Sequence, residues 1–293
     1  MELTLKNGKI LKYDGALVMG IVNVTPDSFF EGSRCQDEET LRQRIRQIIA
    51  EGGAMVDVGA YSSRPDGTDI TEEEEMSRLA AALPVINEEL AKADGCIPVS
   101  VDTFRAGVAK RCVEEYGVDI INDISGGTLD EDMLRTVVEL NVPYILMHMR
   151  GTPQTMKEMT DYPDGVTNEV MRFFRQQMGK LEALAEEMDV DKKSLQVILD
   201  PGFGFAKTIE QNYQLFSNLP AFKISFKDYP LLVGISRKSM IYKLLDTDAN
   251  NSLNGTSILN ALAVASGADI LRVHDVKEAV SVVQQLCTTE VKS

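Results

Sequence analysis

Cysteine, histidine and tryptophan are scarce in this sequence of 293 residues, which has four cysteines, two histidines and no tryptophan. The cysteines lie far apart and form no C-x-x-C pair, which is typical of reduced thiols and argues against a disulfide framework or a zinc site. No apolar run approaches the roughly 18–20 residues of a membrane span, and the first residues lack the apolar core of a signal peptide. These absences favour a cytoplasmic protein without a membrane partner.

Basic residues are also few. The 30 lysine and arginine residues are outnumbered by 45 acidic residues, which gives a net charge of −15. A surface of this kind repels nucleic acid, because phosphate binding needs clustered lysine and arginine. We therefore expect no nucleic-acid partner, although an anionic small molecule can bind where basic side chains gather locally.

Low-complexity segments and linkers rich in proline and glycine are missing too. Instead, β-branched apolar runs alternate with amphipathic segments, a pattern typical of parallel strands that are buried on both faces. The eight runs are Leu17–Asn23, Met55–Gly59, Ile97–Asp102, Asp119–Asp123, Val142–His148, Leu195–Asp200, Leu231–Ser236 and Asp269–His274. The intervening segments have helical periodicity, for example at Leu41, Ile45 and Ile48, and Thr71 with Glu74 forms a capping-box pattern.

Eight β/α units in a chain of this length predict the α/β class and a single-domain (β/α)8 TIM barrel over residues 1–293. Residues 1–14 are then a short leader hairpin or extension. The alternative is a doubly wound open sheet. Its dinucleotide-binding version is disfavoured, because no G-x-G-x-x-G motif follows the first run.

Every predicted strand ends in polar or charged residues, at the end of the barrel where such folds carry their chemistry. The basic residues at these ends are Arg64, Arg150, Lys207, Arg237, Lys238, Arg272 and His274. We expect them to form a cationic ring at one mouth of the barrel, as an anionic ligand requires. Some polar residues here have a structural alternative, since Thr103 and Ser239 are also good helix N-caps. Asp102, Asn122 and Asp200 end apolar strands, where a buried polar group is costly unless it is paired or used.

The motifs at the strand ends resemble, in order, those of dihydropteroate synthases. They are MGIVNVTPDSF (Met19–Phe29), SVDT (Ser100–Thr103), INDISG (Ile121–Gly126), LMHMRGTP (Leu146–Pro153), LDPGFGF (Leu199–Phe205), GISRKS (Gly234–Ser239) and GADILRVHDV (Gly267–Val276). The resemblance covers about residues 15–285 and implies a (β/α)8 barrel. It also implies a homodimeric transferase that joins p-aminobenzoate to 6-hydroxymethyl-7,8-dihydropterin pyrophosphate in folate biosynthesis.

The resemblance implies a role for each matching residue. Asp102, Asn122 and Asp200 would read the donor-rich edge of the pterin, because carboxylates accept hydrogen bonds and an amide both donates and accepts. The two carboxylates would also favour the positive charge that develops on the methylene carbon during the reaction. Lys238 would donate to the pterin carbonyl or to a ring nitrogen. The residues that would pack against the pterin face are Met147 and Phe205.

The pyrophosphate group needs cations and hydrogen-bond donors. The residues that the resemblance places around it are Ser63, Arg64, Pro65, Arg272 and His274. Arg272 and His274 lie two residues apart on one strand, so their side chains point to the same side. We expect them to hold the leaving pyrophosphate as a pair of cations without reading the pterin ring. Asn23 matches the family's metal ligand, and one amide holds Mg²⁺ only together with waters and pyrophosphate oxygens.

The p-aminobenzoate substrate is already a nucleophile when its amine is neutral, so no activated serine, cysteine or lysine is needed. The resemblance places it under the loops Thr25–Arg34 and Phe205–Thr208, which would close over it. The candidate contacts in the first loop are Thr25, Asp27 and Phe29. We expect the substrate's carboxylate at the N-terminus of the helix that opens at Ser239.

The sequence departs from the family pattern at a few positions, among them Tyr61 where a glutamate is usual and Ala206 where a glycine is common. Two alternative functions fit less well. A methyltetrahydrofolate-type pterin-dependent methyltransferase shares the acidic positions but has no reason to keep Lys238, Arg272 and His274. A non-catalytic pterin-binding paralogue should have lost at least one of the proposed substrate or metal ligands. All of these are present: Asn23, Asp27, Lys238, Arg272 and His274.

Overall fold

A computed structural model describes residues 2–5, 8–13, 15–25, 37–64 and 67–290. Its strands are β1 (Glu2–Thr4), β2 (Ile10–Lys12), β3 (Leu17–Asn23), β4 (Met55–Gly59), β5 (Val99–Asp102), β6 (Ile120–Asp123), β7 (Tyr144–Met147), β8 (Val197–Asp200), β9 (Leu232–Val233) and β10 (Ile270–Val273). Its α-helices are α1 (Glu38–Ala50), α2 (Glu72–Leu90), α3 (Ala106–Tyr116), α4 (Met133–Leu140), α5 (Val166–Glu187), α6 (Ile209–Ser217), α7 (Leu219–Ser225), α8 (Ser239–Tyr242), α9 (Leu253–Ala265) and α10 (Val276–Glu290).

Strands β3 to β10 form one parallel sheet in the order β8-β7-β6-β5-β4-β3-β10-β9. The outer strands β8 and β9 meet through a bridge between Leu199 and Leu231. Beside it, the Leu199 amide donates to the Pro230 carbonyl at 2.9 Å. This contact closes the sheet, so the predicted (β/α)8 barrel is confirmed.

Each of the eight predicted apolar runs contains one barrel strand. Leu17–Asn23 and Met55–Gly59 agree with the structure to the residue, whereas the other strands are shorter than the runs. The largest difference is at β9, which keeps two residues. The chain turns soon after β9, where the Lys238 amide donates to the Ile235 carbonyl at 3.1 Å.

The helices begin near the signals that the sequence contains. Thr71 caps α2 by accepting a hydrogen bond from the Glu74 amide at 3.2 Å, as predicted. By contrast, α8 has four residues and begins at Ser239. A single turn has little macrodipole, so the expected anion site at its N-terminus loses its physical basis. In the described part of the chain, no helix combines the length and the apolar character that crossing a membrane needs.

An antiparallel hairpin of β1 and β2 lies at the N-terminal end of the barrel. Its leucines pack in one cluster with side chains at the strand starts, such as Leu17 and Ile120. These leucines are Leu3, Leu5 and Leu11. Two hydrogen bonds of 2.6 Å join the Thr4 backbone to the Gln196 side chain, just before β8. The hairpin therefore closes the end of the barrel opposite to the strand ends that carry the polar motifs.

Side chains along the barrel strands alternate between the inside and the outside. Outward-facing ones, such as Val56 and Val58, pack in the cluster that includes the helices. Inside the barrel, near the strand starts, the side chains are apolar: Met19, Met55, Ile120, Ile145 and Ile198. Nearer the strand ends they become polar: Asp57, Asp102, Asn122, Asp200 and Arg272. This change from apolar to polar determines where a ligand can bind.

The hairpin offers a matched test of the closed end. Leu11 is 6% exposed, whereas its neighbour Ile10 is 51% exposed. Leu11→Ala should lower the free energy of unfolding by about 2–4 kcal/mol, because it leaves a cavity among the leucines. Ile10→Ala should lower it by less than about 1 kcal/mol. Denaturant unfolding followed by circular dichroism measures both, and equal losses would show that the hairpin does not seal this end.

Candidate active site

A cavity of about 570 Å³ opens at the C-terminal end of the barrel. Residues at or after the ends of seven of the eight barrel strands line it. Those that the sequence singled out are Asn23, Thr25, Ser63, Arg64, Asp102, Phe205, Lys207, Arg237, Lys238, Ser239, Arg272 and His274. The structure thus brings these residues to one place. Asp27, Phe29 and Pro65 lie outside the described residues.

Four charged or polar side chains from β4, β5, β6 and β10 form a connected network beside this cavity, which we term the Asp57 cluster. Asp57 is fully buried and accepts from Nε of Arg272 at 2.6 Å. Nη2 of Arg272 donates to Oδ2 of Asp102 at 2.8 Å. Nδ2 of Asn122 donates to both carboxylate oxygens of Asp57, at 3.1 and 3.2 Å. Arg272 therefore connects the two carboxylates, and Asp57 in turn connects to the amide of Asn122.

Asp57 was not among the residues predicted from the sequence. It stands two residues before the end of β4, inside the apolar run MVDVG. The signal that could have found it is the two-residue period of a strand: Asp57 shares a face with Gly59, and Gly59 pairs in register with Asp102. A carboxylate on that inner face is costly unless it has a cationic partner.

Burial changes the acidity of the carboxyl groups in the site. It raises the pKa of Asp102, while Arg272 acts in the opposite direction and Asp57 adds to the rise. It also raises the pKa of Asp200, with Lys238 acting against it. Both groups therefore depend on neighbouring cations, or on N–H donors of a ligand, to remain ionised.

The loop after β8 brings Asp200 and Lys238 into one region. Oδ1 of Asp200 accepts from the Gly202 amide at 2.8 Å. Nζ of Lys238 donates to the Phe203 carbonyl at 2.6 Å and lies 4.7 Å from the centre of the Phe205 ring. Burial lowers the pKa of Lys238 to about 8. The amino group of Lys238 therefore lies in the same region as the Asp200 carboxylate and the face of the Phe205 ring.

Three of the predicted pterin contacts lie behind the cavity wall. Asn122, Met147 and Asp200 are buried and are not among the described residues that line the cavity. Asn122 connects to the cavity through the Asp57 cluster. Met147 belongs to a small apolar cluster that also contains Ala206 and packs against Phe205. These three residues therefore form the inner part of the site.

Arg272 and His274 both line the cavity, and the buried Val273 separates them along β10. Their common direction agrees with the strand period. In this structure they do not form a pair of cations set apart from the carboxylates of the site. The Arg272 guanidinium is bonded to Asp102, one of those carboxylates. Burial, with the charge of Arg272 nearby, lowers the pKa of His274 to about 3, so its ring is neutral at pH 7.

His274 contacts Ser236 through both its backbone and its ring. The Ser236 hydroxyl oxygen accepts from the His274 backbone amide at 3.2 Å and lies 3.0 Å from Nδ1. When the hydroxyl group donates its own proton to Nδ1, the proton of the neutral ring is on Nε2. In that tautomer His274 is a neutral hydrogen-bond donor instead of a charge.

The predicted ring of cations is only partly formed. The Arg237 guanidinium is held by both carboxylate oxygens of Asp275, each at 2.8 Å. Arg150 is bonded to Glu169 and lies 3.9 Å from the centre of the Tyr162 ring. Both arginines therefore pair with carboxylates of neighbouring segments, and Arg237 lines the cavity while it does so.

Tyr61, which departs from the family pattern, has a clear structural position. Its side chain lines the cavity, and its hydroxyl group accepts from Nε2 of Gln154 and donates to Asp69, both at 3.0 Å. Its ring contacts Phe104 edge to face, with 5.0 Å between the ring centres. Tyr61 therefore joins the loops that follow β4, β5 and β7 at the mouth of the site.

The donor set around Asn23 indicates what kind of metal site is possible. Oδ1 of Asn23 and Oδ2 of Asp102 both face Gly59, at 3.8 and 3.7 Å from where a Cβ atom of that residue would lie. The residues that the structure describes contain no group of three or more histidine, cysteine or acidic side chains suited to a metal ion. The residues present fit a Mg²⁺ ion that keeps waters and takes further oxygens from a substrate.

Comparison with known proteins agrees with this geometry. The model of the pterin binding enzyme family matches residues 19–274. The dihydropteroate synthase of Synechocystis sp. is 41% identical over 261 residues, which cover 89% of this chain and 85% of that protein. The dihydropteroate synthase of Escherichia coli K12 is 38% identical over 263 residues, which cover 90% and 88%.

Solved structures show the same relationship. The Yersinia pestis dihydropteroate synthase, in complex with a sulfonamide drug, has a TM-score of 0.87 at 34% identity, over 99% of this chain and all of that one. The Thermus thermophilus enzyme, in complex with 4-aminobenzoate, has a TM-score of 0.82 at 31% identity, over 98% and 99%. The chain belongs to the dihydropteroate synthase family of pterin-binding transferases.

Proposed function

We propose that this protein joins p-aminobenzoate to 6-hydroxymethyl-7,8-dihydropterin pyrophosphate and releases 7,8-dihydropteroate and pyrophosphate, as in folate biosynthesis. The observation that carries the proposal is the Asp57 cluster beside a cavity of about 570 Å³ at the C-terminal end of a barrel. Membership of the dihydropteroate synthase family supports it. The solved relative that holds 4-aminobenzoate supports the identity of the second substrate.

Recognition of the pterin uses the inner part of the site. A pterin presents neighbouring N–H groups beside a carbonyl oxygen, so it needs acceptors and a donor at fixed positions. Asp102 and Asp200 supply carboxylate acceptors, and Asn122 supplies an amide. Lys238 donates to the carbonyl oxygen or to a ring nitrogen. Because burial raises the pKa of both carboxyl groups, N–H donors of the ligand would favour their ionised forms.

Departure of pyrophosphate places negative charge at the outer part of the site. Arg272 and the Nε2–H of His274 would donate to its oxygens, together with Ser63 and Arg64. Asn23 would hold Mg²⁺, which supplies positive charge to the pyrophosphate oxygens when it is bound. The carboxylates of Asp102 and Asp200 favour the positive charge that remains on the methylene carbon once its bond to oxygen breaks.

The aryl amine then attacks the methylene carbon, and the new carbon–nitrogen bond replaces the bond to pyrophosphate. The amine loses one proton in this step, which passes to the released pyrophosphate or to solvent. Phe205 and Thr25 line the cavity where the aryl ring would lie, and Ser239 offers a hydroxyl group there. Since α8 is a single turn, a hydroxyl group is the more defined partner for the substrate carboxylate than a helix dipole. The loop contacts proposed at Asp27 and Phe29 lie outside the described residues.

Two further proposals concern the setting of the enzyme. The cysteines among the described residues, Cys96, Cys112 and Cys287, are free thiols, which supports a reducing location such as the cytoplasm.

On α9, Ile258 and Leu262 are 54% and 50% exposed one helical turn apart. An apolar stripe of this kind supports a homodimer formed through α9.

The reaction itself gives the direct test. Purified protein with the pterin pyrophosphate, p-aminobenzoate and Mg²⁺ should release pyrophosphate in a coupled assay, because both substrates and the charge on Mg²⁺ are needed. Omission of p-aminobenzoate, or chelation of Mg²⁺ with EDTA, should stop the release. Pyrophosphate release that does not depend on p-aminobenzoate would contradict the proposed reaction.

Asp57 offers a test of the buried cluster. Asp57→Asn keeps the shape but removes the charge that balances Arg272, so kcat/KM should fall by about 10- to 100-fold, the value of one charge-assisted hydrogen bond. Asp119→Asn is the control, because Asp119 accepts from the Val99 amide at the opposite end of the barrel. Its kcat/KM should stay within about twofold of the original. Equal effects of the two substitutions would remove Asp57 from the site.

The proposed dimer can be tested by charge. Leu262→Glu should convert a dimer into a monomer in size-exclusion chromatography with light scattering, because a buried carboxylate in an apolar interface lacks a partner. Ile10→Glu is the control, since Ile10 is equally exposed but belongs to the β1–β2 hairpin and not to α9. An unaltered protein that elutes as a monomer, or a Leu262→Glu variant that remains a dimer, would contradict the interface.

A further inference from the structure

Lys207 is a buried lysine that the proposed reaction does not use. It lies in the loop between β8 and α6 and is 8% exposed. Its Nζ lies 3.0 Å from Nδ1 of His148, 2.9 Å from the Gly202 carbonyl oxygen and 3.0 Å from the Phe205 carbonyl oxygen. A longer contact of 3.5 Å joins Nζ to the His148 carbonyl oxygen. The amino group of Lys207 is therefore surrounded by hydrogen-bond partners.

Burial lowers the pKa of His148 well below its ordinary value, so its ring is neutral. Burial also lowers the pKa of Lys207 well below its ordinary value, while Asp200 acts in the opposite direction. A charged lysine donates to all three partners, whereas a neutral lysine donates to the two carbonyl groups and accepts from a protonated Nδ1 of His148. The Gly202 and Phe205 carbonyl groups therefore accept from Lys207 in either form.

The loop between β8 and α6 folds around the amino group of Lys207. The Phe203 carbonyl accepts from Lys238 at 2.6 Å, and the Ala206 carbonyl accepts from the Tyr162 hydroxyl group at 2.9 Å. Ala206 has a φ of 49°, in the left-handed region that favours glycine. Four carbonyl groups of the loop thus accept from three side chains, two of them from Lys207, and Ala206 keeps an unfavourable backbone conformation in this arrangement.

Gly202 shows how closely the loop approaches His148. Its φ is 71°, and a Cβ atom there would lie 2.0 Å from the His148 carbonyl oxygen and 3.4 Å from Nζ of Lys207. A side chain at this position would force the loop away from both residues. The Gly202 amide also donates to Asp200, so a shift of the loop would move the acceptor that reads the pterin.

We propose that Lys207 is a positioning residue for the substrates. Its amino group fixes the Gly202 and Phe205 carbonyl groups, and through them it holds the Asp200 carboxylate and the Phe205 ring where the pterin and the aryl amine bind. The inference rests on the proposed function for the identity of these ligands. It assigns Lys207 an effect on ground-state binding of both substrates, not on the bond-breaking step.

Steady-state kinetics of Lys207→Met tests this role. Methionine has a similar shape but no donor, so KM for both substrates should rise by about tenfold or more, in line with the loss of charge-assisted hydrogen bonds. The value of kcat should change by less than about threefold. Lys207→Gln keeps two N–H donors and should give intermediate KM values. Lys180→Met, on the exposed face of α5, is the control and should leave both parameters unchanged.

A purely structural role predicts a different result. A variant that only folds less well has fewer active molecules, so its apparent kcat falls while KM stays the same, and that outcome would overturn the proposal. If Lys207→Met does not fold, unchanged KM values in Lys207→Gln would overturn it equally.

Calorimetric titration with the hydroxymethyl dihydropterin lacking pyrophosphate adds an independent measurement, in which Lys207→Met should bind about tenfold more weakly. Failure of the unaltered protein to release pyrophosphate would contradict the proposed reaction, whereas equal pterin affinity of the two proteins would contradict the role of Lys207.

Discussion

The pairing of Arg272 with Asp57 and Asp102 is the interaction on which the rest of the site depends. Two carboxylates inside a barrel repel each other and lose the solvation that water gives them. The guanidinium of Arg272 between them lowers that cost. The Asp57 cluster still has more hydrogen-bond acceptors than donors. A ligand edge rich in N–H groups satisfies the remaining oxygens. The cost of burying these charges is therefore the source of the preference for such a ligand.

The barrel interior separates stability from chemistry along its axis. The N-terminal half is filled by apolar side chains and closed by the hairpin of β1 and β2, which together form one cluster. The C-terminal half holds charged side chains that pack less favourably and need partners. Since each half is built from the same strands, the firm packing of the first half fixes the positions of the charged groups in the second.

The sequence predicted the barrel because its strands are buried on both faces and stand out as apolar runs between amphipathic segments. It predicted Asp102, Asn122 and Asp200 because each stands at the end of such a run or directly before it. It did not predict Asp57. An apolar residue and a glycine follow Asp57 before β4 ends, so it does not stand at the strand end where polar residues indicate a site. Nor did it show that Arg237 turns to Asp275, because the direction of a long side chain depends on contacts that arise only in the folded chain.

The charge of His274 shows a second limit. From sequence, a histidine two residues after an arginine near a phosphate site indicates a cation. In the folded chain the same arginine lies beside the ring in a buried position, and both factors disfavour a second positive charge. Burial and charge repulsion are properties of the assembled site, so residue type and spacing predict the location of such a group better than its protonation.

The closure of the barrel between β8 and β9 has a consequence for its motions. These strands meet at the Leu199–Leu231 bridge, whereas β3 and β4 share five register pairs. Fewer hydrogen bonds mean a lower free energy of local opening, so amide hydrogens along this seam should exchange with solvent sooner than those of β3. Asp200 ends β8 and Lys238 follows β9, so they stand on opposite sides of the seam. A ligand held by both side chains would connect the two edges and slow that exchange, which makes substrate binding part of what closes the barrel.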